Sequence, residues 1–388
     1  MSKLPREVWL LGMVSLFNDI STEMIYPLLP LFTVAVLGAT ATDLGWIEGT
    51  AQGVVALMTA WAGIASDRKT RVPWIRFGYG LPVAGKLMLA VAGSWPVVLI
   101  GRAVDRLGKG FRSSPRDALI ADVTPDELRG RAYGLDRALD TAGAFIGVLG
   151  AAALLWWLPH RETRPIRIVI AVAAGLGLVA LGVSCFVREP AARPIAPKHA
   201  TPGERSALPP AYWRTLAILL VFALANSSDT FVLLRASDVG LAPWTVAIAY
   251  AVYNLVYTVA SYPAGALSDR FGRWGIVGAG WVIYAISYAA FAVATPSRIW
   301  PAFAVYGLFT ALTDGVGKAL IADHAPREHR GRALGYFYLG TAVTTLVSSV
   351  AAGVLWDRVG HAATFWAGAV AALVALVVLV VLRPRTKR

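Results

Sequence analysis

The chain has 388 residues, of which 57% are apolar and only 15% charged, and its mean hydropathy is +0.59. Soluble domains run at roughly 45–50% and 25%, so this balance excludes an ordinary soluble globule. A net charge of +13 and a pI near 10.1 do not signal nucleic-acid binding either, because the basic residues fall between long apolar runs and do not gather on one polar face.

Taken in chain order, apolar runs bounded by Gly, Pro or charge predict helices at 8–37, 43–65, 73–93, 96–121, 131–157 and 165–187, and again at 212–238, 243–267, 275–295, 299–322, 332–355 and 363–382. Most are close to the ~20 residues that cross a bilayer. The first run is too long for a signal-peptide core and reads as a retained span. Residues 188–211 hold Pro190, Pro194, Pro197, Pro202, Pro209 and Pro210 and read as a linker. The expectation is an all-α polytopic membrane protein: twelve transmembrane helices in two pseudo-symmetric six-helix bundles, 1–187 and 212–388, the second ending in a short basic tail. Lys and Arg collect at the N-terminus, the even-numbered loops, the linker and the tail. By the positive-inside rule both termini are cytoplasmic, and a cytoplasmic (inner) membrane is the expected location.

The lone cysteine, Cys185, excludes a disulfide framework. All five histidines fall in or beside loops, and there is no Gly-x-Ser-x-Gly elbow or Gly-Lys-Ser/Thr phosphate loop. An enzyme, a resident cofactor and a metal centre are therefore not expected.

The halves echo each other. Gly63-Ile-Ala-Ser-Asp67-Arg68 recurs as Gly265-Ala-Leu-Ser-Asp269-Arg270, and Ala118-Leu-Ile-Ala-Asp122 with Arg129-Gly130-Arg131 recurs as Ala319-Leu-Ile-Ala-Asp323 with Arg330-Gly331-Arg332, at offsets of 202 and 201 residues. Parallel repeats of six helices are a transporter architecture. On these residues the chain resembles the major facilitator superfamily. The family's loop Gly-x-x-x-Asp-Arg-x-Gly-Arg is matched in full by Gly265, Asp269, Arg270, Gly272 and Arg273. It is matched by Gly63, Asp67, Arg68 and Arg71 with Thr70 at the second glycine. Arg102, Gly108 and Gly110 fit the pattern of helix 4, whereas Gly143 and Gly147 only hint at the antiporter signature of helix 5, with Val148 where Pro would stand. The resemblance implies a conformational gate at Gly63, Asp67, Arg68, Arg71, Asp122, Arg129, Gly265, Asp269, Arg270, Arg273, Asp323 and Arg330. Both repeat glycines are expected to admit a close helix neighbour.

The resemblance also implies that helices 1, 4, 7 and 10 line a central cavity. An ionisable side chain within a span costs about 2.5–3.5 kcal/mol on insertion scales and needs a partner or a wet cavity. Asn18, Asp19 and Glu23 on helix 1 place two carboxylates on one face, suited to carrying protons. Arg102, Arg106 and Lys109 form a stripe on helix 4 with Asp105 beside it. Either this stripe neutralises acids of helices 1 and 5, including Asp136 and Asp140, or part of it grips an anionic solute. Asp19, Glu23, Asp105 and Arg102 are thus proton-coupling candidates; Asn18, Arg106, Lys109, Asn226, Asp229, Tyr253, Asn254 and Asp314 are substrate-binding candidates. The expected function is secondary transport of a small organic solute by alternating access, proton-coupled and outward. Proton-coupled uptake of an anionic metabolite is the first alternative and divalent-cation transport a weaker one. The expected partners are solute, protons and lipid, with no nucleic acid and a monomeric functional unit.

Overall fold

A computed structural model describes residues 4–66, 70–125, 128–158, 164–188, 208–326 and 329–384. The described residues form thirteen α-helices and no strands: α1 Arg6–Ile25, α2 Ala41–Ser66, α3 Val72–Val91, α4 Trp95–Val123, α5 Arg129–Trp157, α6 Arg164–Ser184, α7 Pro210–Ala225, α8 Thr230–Asp238, α9 Pro243–Phe271, α10 Arg273–Ala292, α11 Ile299–Asp323, α12 Arg330–Arg358 and α13 His361–Leu382. With α7 and α8 taken as one span, eight spans from α5 onward are long and apolar enough to cross a membrane. Helices α1 to α4 bring the count to twelve. α4 fails a purely apolar criterion because Arg102, Asp105, Arg106, Lys109, Arg112 and Arg116 interrupt it.

Two expected spans are not continuous helices. In the first, Pro27 and Pro30 lack the N–H that would extend the α-helical ladder. α1 therefore passes into a tight turn at Tyr26–Leu28 and then into wider turns at Leu31–Val36. The run 212–238 breaks between α7 and α8 at Asn226-Ser227-Ser228-Asp229. Short polar side chains there offer the backbone other partners: Ser228 N–H donates to Ser349 Oγ at 3.1 Å, and Ser348 Oγ donates to the Asn226 carbonyl at 3.1 Å.

The chain forms two compact units, Met1–Ala39 with Thr50–Thr201, and Thr40–Gly49 with Pro202–Arg388. In the first, α1 packs on α5 and α6, and α3 on α4 and α6. In the second, α7 packs on α12 and α13, and α10 on α11 and α13. The same pairing recurs helix for helix, as duplication of one six-helix unit requires. The start of α2 belongs to the second unit. Asp357 of α12 accepts from the backbone N–H groups of Ala41 and Thr42 at 3.0 and 2.9 Å, neutralising the positive end of the helix. Thr40 and Asp43 cap one another reciprocally at 2.9 and 3.1 Å.

Close approach depends on small residues. A methyl group added to Gly143 would sit 2.6 Å from the Leu16 carbonyl, and one on Gly147 would sit 2.5 Å from that of Ile20, so α5 lies backbone to backbone on α1. Gly108 meets Gly78 and Pro82 of α3 in the same way. Gly265 does not: among the described residues nothing lies within 4 Å of the position. The motif glycine with a conformational duty is Gly272, whose φ of 88° turns the chain between α9 and α10.

Overpacking a tight helix contact costs about 1–3 kcal/mol. Gly147→Val is therefore expected to lower the thermal unfolding temperature of the purified protein by several degrees, while Gly150→Ala, with nothing within 4 Å of its position, leaves it unchanged.

Candidate functional site

The first unit buries charge. Asp105 lies 3.5 Å from Arg102 Nη1 and 3.8 Å from Arg106 Nε, and all three side chains are less than a tenth exposed. Two residues of the expected stripe thus answer an acid on their own helix, which local spacing of three and one residues permits. Arg102 also stands over the Tyr26 ring at 5.7 Å. Lys109 is exposed and makes no ion pair among the described residues, but it lies within electrostatic range of both Asp19 and Glu23. Asn18, 2% exposed, donates to Asp19 at 3.0 Å. Neither Asp19 nor Glu23 has a basic partner within ion-pair distance among the described residues.

Arg116 performs the neutralisation anticipated between helices 4 and 5. It lies 3.3 Å from Asp136 and 3.6 Å from Asp140 and donates to Ser15 Oγ, which in turn donates to Asp140. Several other intramembrane arginines satisfy helix C-termini. Arg76 donates to the Cys185 and Val187 carbonyls, Arg167 to those of Ala90 and Ala92, and Arg235 to those of Phe291, Ala292 and Ala294. Arg112 donates to the Gly78 carbonyl at 3.1 Å and stacks 4.7 Å over Tyr79.

The repeated motif recurs as repeated contacts. Arg71 pairs with Asp122 at 2.9 Å, and Arg273 pairs with Asp323 and, at 3.5 Å, with Asp269. Arg129 donates to the Ala121 carbonyl at 3.4 Å and Arg330 to that of Ala322 at 3.2 Å, the same eight-residue reach in each half. Arg270 stands over the Phe271 ring at 5.3 Å. Gly63 falls in the last turns of α2; Asp67 and Arg68 lie outside the described residues.

The second unit contains a cavity of about 280 Å³ lined by α7, α9, α10, α11 and α12 and by the break between α7 and α8. Asn226, Asp229, Tyr253 and Asp314 all reach it. Asn254 does not; its Nδ2 donates to the Tyr250 carbonyl of its own helix at 3.1 Å. Asp314 pairs with Lys318 at 2.9 Å, as their spacing anticipates, and accepts from Tyr257 at 3.1 Å. Asp229 accepts from the Tyr306 hydroxyl at 2.6 Å.

Two participants were not among the candidate site residues read from sequence. Tyr306 lies within an apolar run that hides it. Lys86, 2% exposed, donates to Ser21 Oγ at 2.6 Å and Thr22 Oγ1 at 3.2 Å. A single lysine amid the apolar run 73–93 was the available signal.

This fold, with buried charge in one half and a solute-sized cavity in the other, defines a multi-pass membrane transporter. A profile of the Major Facilitator Superfamily matches residues 11–235 and 216–388, and an uncharacterised MFS-type transporter of Methanocaldococcus jannaschii is 32% identical over 96% of this chain and 94% of its own. The chain belongs to the Major Facilitator Superfamily and is a transporter of small solutes, not an enzyme. The multidrug resistance protein MdtH of Salmonella typhi is 22% identical over 86% of this chain and 82% of its own. Among solved structures, the nucleoside transporter NupG superposes with a TM-score of 0.79 at 12% identity, covering 99% of this chain and 100% of that one. A D-xylose–proton symporter superposes at 0.77 and 16% identity, covering 98% of each chain. These two share the fold.

Removing Arg116 leaves two acids facing each other in a largely buried site, a loss of about 3 kcal/mol or more by analogy with broken buried pairs. Arg116→Ala is expected to lower the unfolding temperature sharply. Asp136→Asn in the same chain should restore part of the loss, a non-additivity that a double-mutant cycle reads directly.

Proposed function

We propose that the protein is a proton-coupled exporter of small organic solutes in the cytoplasmic membrane, with both termini cytoplasmic. The observation that carries this reading is the placement of Asp19 and Glu23. They lie one turn apart on α1, without an ion-pair partner among the described residues and within electrostatic range of Lys109. A carboxylate locked into an ion pair resists protonation; one that is not locked can gain and lose a proton as its surroundings change. Asp105, held between Arg102 and Arg106, serves this scheme as a fixed counter-charge, and Arg102 with it.

The outward direction draws support from the multidrug resistance relative. The uptake of an anion rested on the helix 4 stripe; Asp105 already engages Arg102 and Arg106 and leaves less of their charge for a solute. Among the described residues no three His, Cys, Asp or Glu side chains converge to hold a metal ion, so divalent-cation transport gains no support. The motif pairs Arg71–Asp122 and Arg273–Asp323 act in this scheme as latches that change partners during alternating access, and a single polypeptide suffices as the functional unit.

Proton binding is testable before the solute is known. A sudden pH step applied to proteoliposomes on a solid-supported membrane is expected to give a transient charge displacement. The Asp19→Asn/Glu23→Gln double variant is expected to lose most of it. A displacement of wild-type size in that variant contradicts the proposed carriers.

A further inference from the structure

The cavity of the second unit has a chemistry unlike that of the first. Asp229 stands at the start of α8, where an acid ordinarily caps the helix, yet its side chain makes no capping bond. The carboxylate instead accepts from the Tyr306 hydroxyl at 2.6 Å and from Tyr253. Among the described residues no Lys or Arg lies within ion-pair distance of it. The charged groups that bear on it, Glu48 and Asp314, are both acidic, and Asp314 is already paired with Lys318. Beside it, Asn226 Oδ1 is buried without a hydrogen-bond partner among the described residues. One end of the cavity therefore offers a carboxylate that no Lys or Arg among the described residues meets.

The walls are aromatic. Phe222 stacks on Trp281 with centroids 4.6 Å apart and planes 4° from parallel, and Tyr253 stacks on Tyr306 at 5.4 Å. Phe309 closes on Tyr306 at 5.4 Å, and Phe337 completes the lining. Flat apolar faces receive an aromatic ring, and the negative face of a ring attracts a cation within about 6 Å. A volume near 280 Å³ falls at the lower end of ligand cavities, which suits one ring and a short side arm.

We infer that this cavity is a binding site for a small protonated aromatic amine, whose ammonium group donates to Asp229 while its ring lies between the Phe222–Trp281 and Tyr253–Tyr306 pairs. An anion of the same size meets a carboxylate with no cation beside it, and is refused. The inference deepens the transport reading by naming a substrate class, and it rests on that reading only for the fate of the bound amine.

The test is equilibrium binding to the purified full-length protein in detergent near neutral pH, measured by calorimetry with phenethylamine and with 3-phenylpropionate, an anion of similar size and shape. Saturable one-to-one binding of phenethylamine is expected, with no saturable binding of 3-phenylpropionate and no competition from sodium chloride at matched ionic strength. Asp229→Asn should weaken phenethylamine by about tenfold or more, the scale of one lost charge-assisted contact, with its thermal unfolding checked alongside. The inference is overturned if phenethylamine shows no saturable binding up to about 10 mM, weaker than useful recognition. It is equally overturned if the anion binds as well, if sodium alone displaces the amine, or if Asp229→Asn binds like wild type. The anion arm needs no variant, so a misfolded substitution does not leave the question open. Amine binding without a proton response would sink the proton-coupled reading and leave the site; a proton response without amine binding would do the reverse.

Discussion

Neutralising α4 is the constraint on which the first unit depends. A helix carrying Arg102, Asp105, Arg106, Lys109, Arg112 and Arg116 inside an apolar bundle is tolerable only if each charge finds an answer, because isolated intramembrane charges are expensive. The answers differ along its length. Arg102 and Arg106 meet Asp105, Arg112 meets a carbonyl and a tyrosine ring, and Arg116 meets Asp136 and Asp140. These bonds draw α3 and α5 onto α4. Gly78 and Gly108 let α3 approach α4 closely, and Gly143 and Gly147 do the same for α5 on α1, whose Ser15 joins the Arg116 cluster. Lys109 is left exposed, and Asp19 and Glu23, half-buried, are left without an ion-pair partner among the described residues. The charges that hold the bundle have a partner in place; Lys109, Asp19 and Glu23, the coupling groups of the proposed function, have no ion-pair partner among the described residues.

The second unit solves a different problem with the same helix plan. Its interior is built on aromatic stacking, from Phe222–Trp281 to Tyr284–Tyr288 with centroids 4.0 Å apart. Its exceptional acid, Asp229, is held by hydroxyl groups. Duplication preserved the pairing of helices and the contacts of Arg71 and Arg273, while the interiors diverged. Proton chemistry in one half and solute recognition in the other is the division of labour that this divergence suggests.

Much of the fold was legible in the sequence because hydropathy and repeats report on backbone-scale constraints. Twelve apolar runs gave twelve spans, and the motif at offsets of 202 and 201 residues gave the duplicated plan. Side-chain partners were less legible. Spacing of four residues correctly paired Asp314 with Lys318, since both lie on one helix. Spacing could not say that Arg102 and Arg106 would turn to Asp105, because acids on neighbouring helices compete and only the packing decides. The break at Asn226–Asp229 was hidden by apolar sequence on both sides. Gly265 has no close neighbour among the described residues, since a shared motif does not guarantee a shared neighbour. Tyr306 was invisible because a tyrosine in an apolar run looks like packing until its hydroxyl is seen to meet Asp229.

The central claim is that Asp19 and Glu23 exchange protons while Asp105, held between Arg102 and Arg106, does not. Infrared difference spectroscopy of the membrane-reconstituted protein between mildly acidic and alkaline pH tests it most directly, because a protonated carboxyl has its own carbonyl stretch. The account predicts a carboxyl band that appears on acidification, shrinks in Asp19→Asn and in Glu23→Gln, and persists in Asp105→Asn. A band that survives both α1 substitutions and vanishes in Asp105→Asn would contradict it.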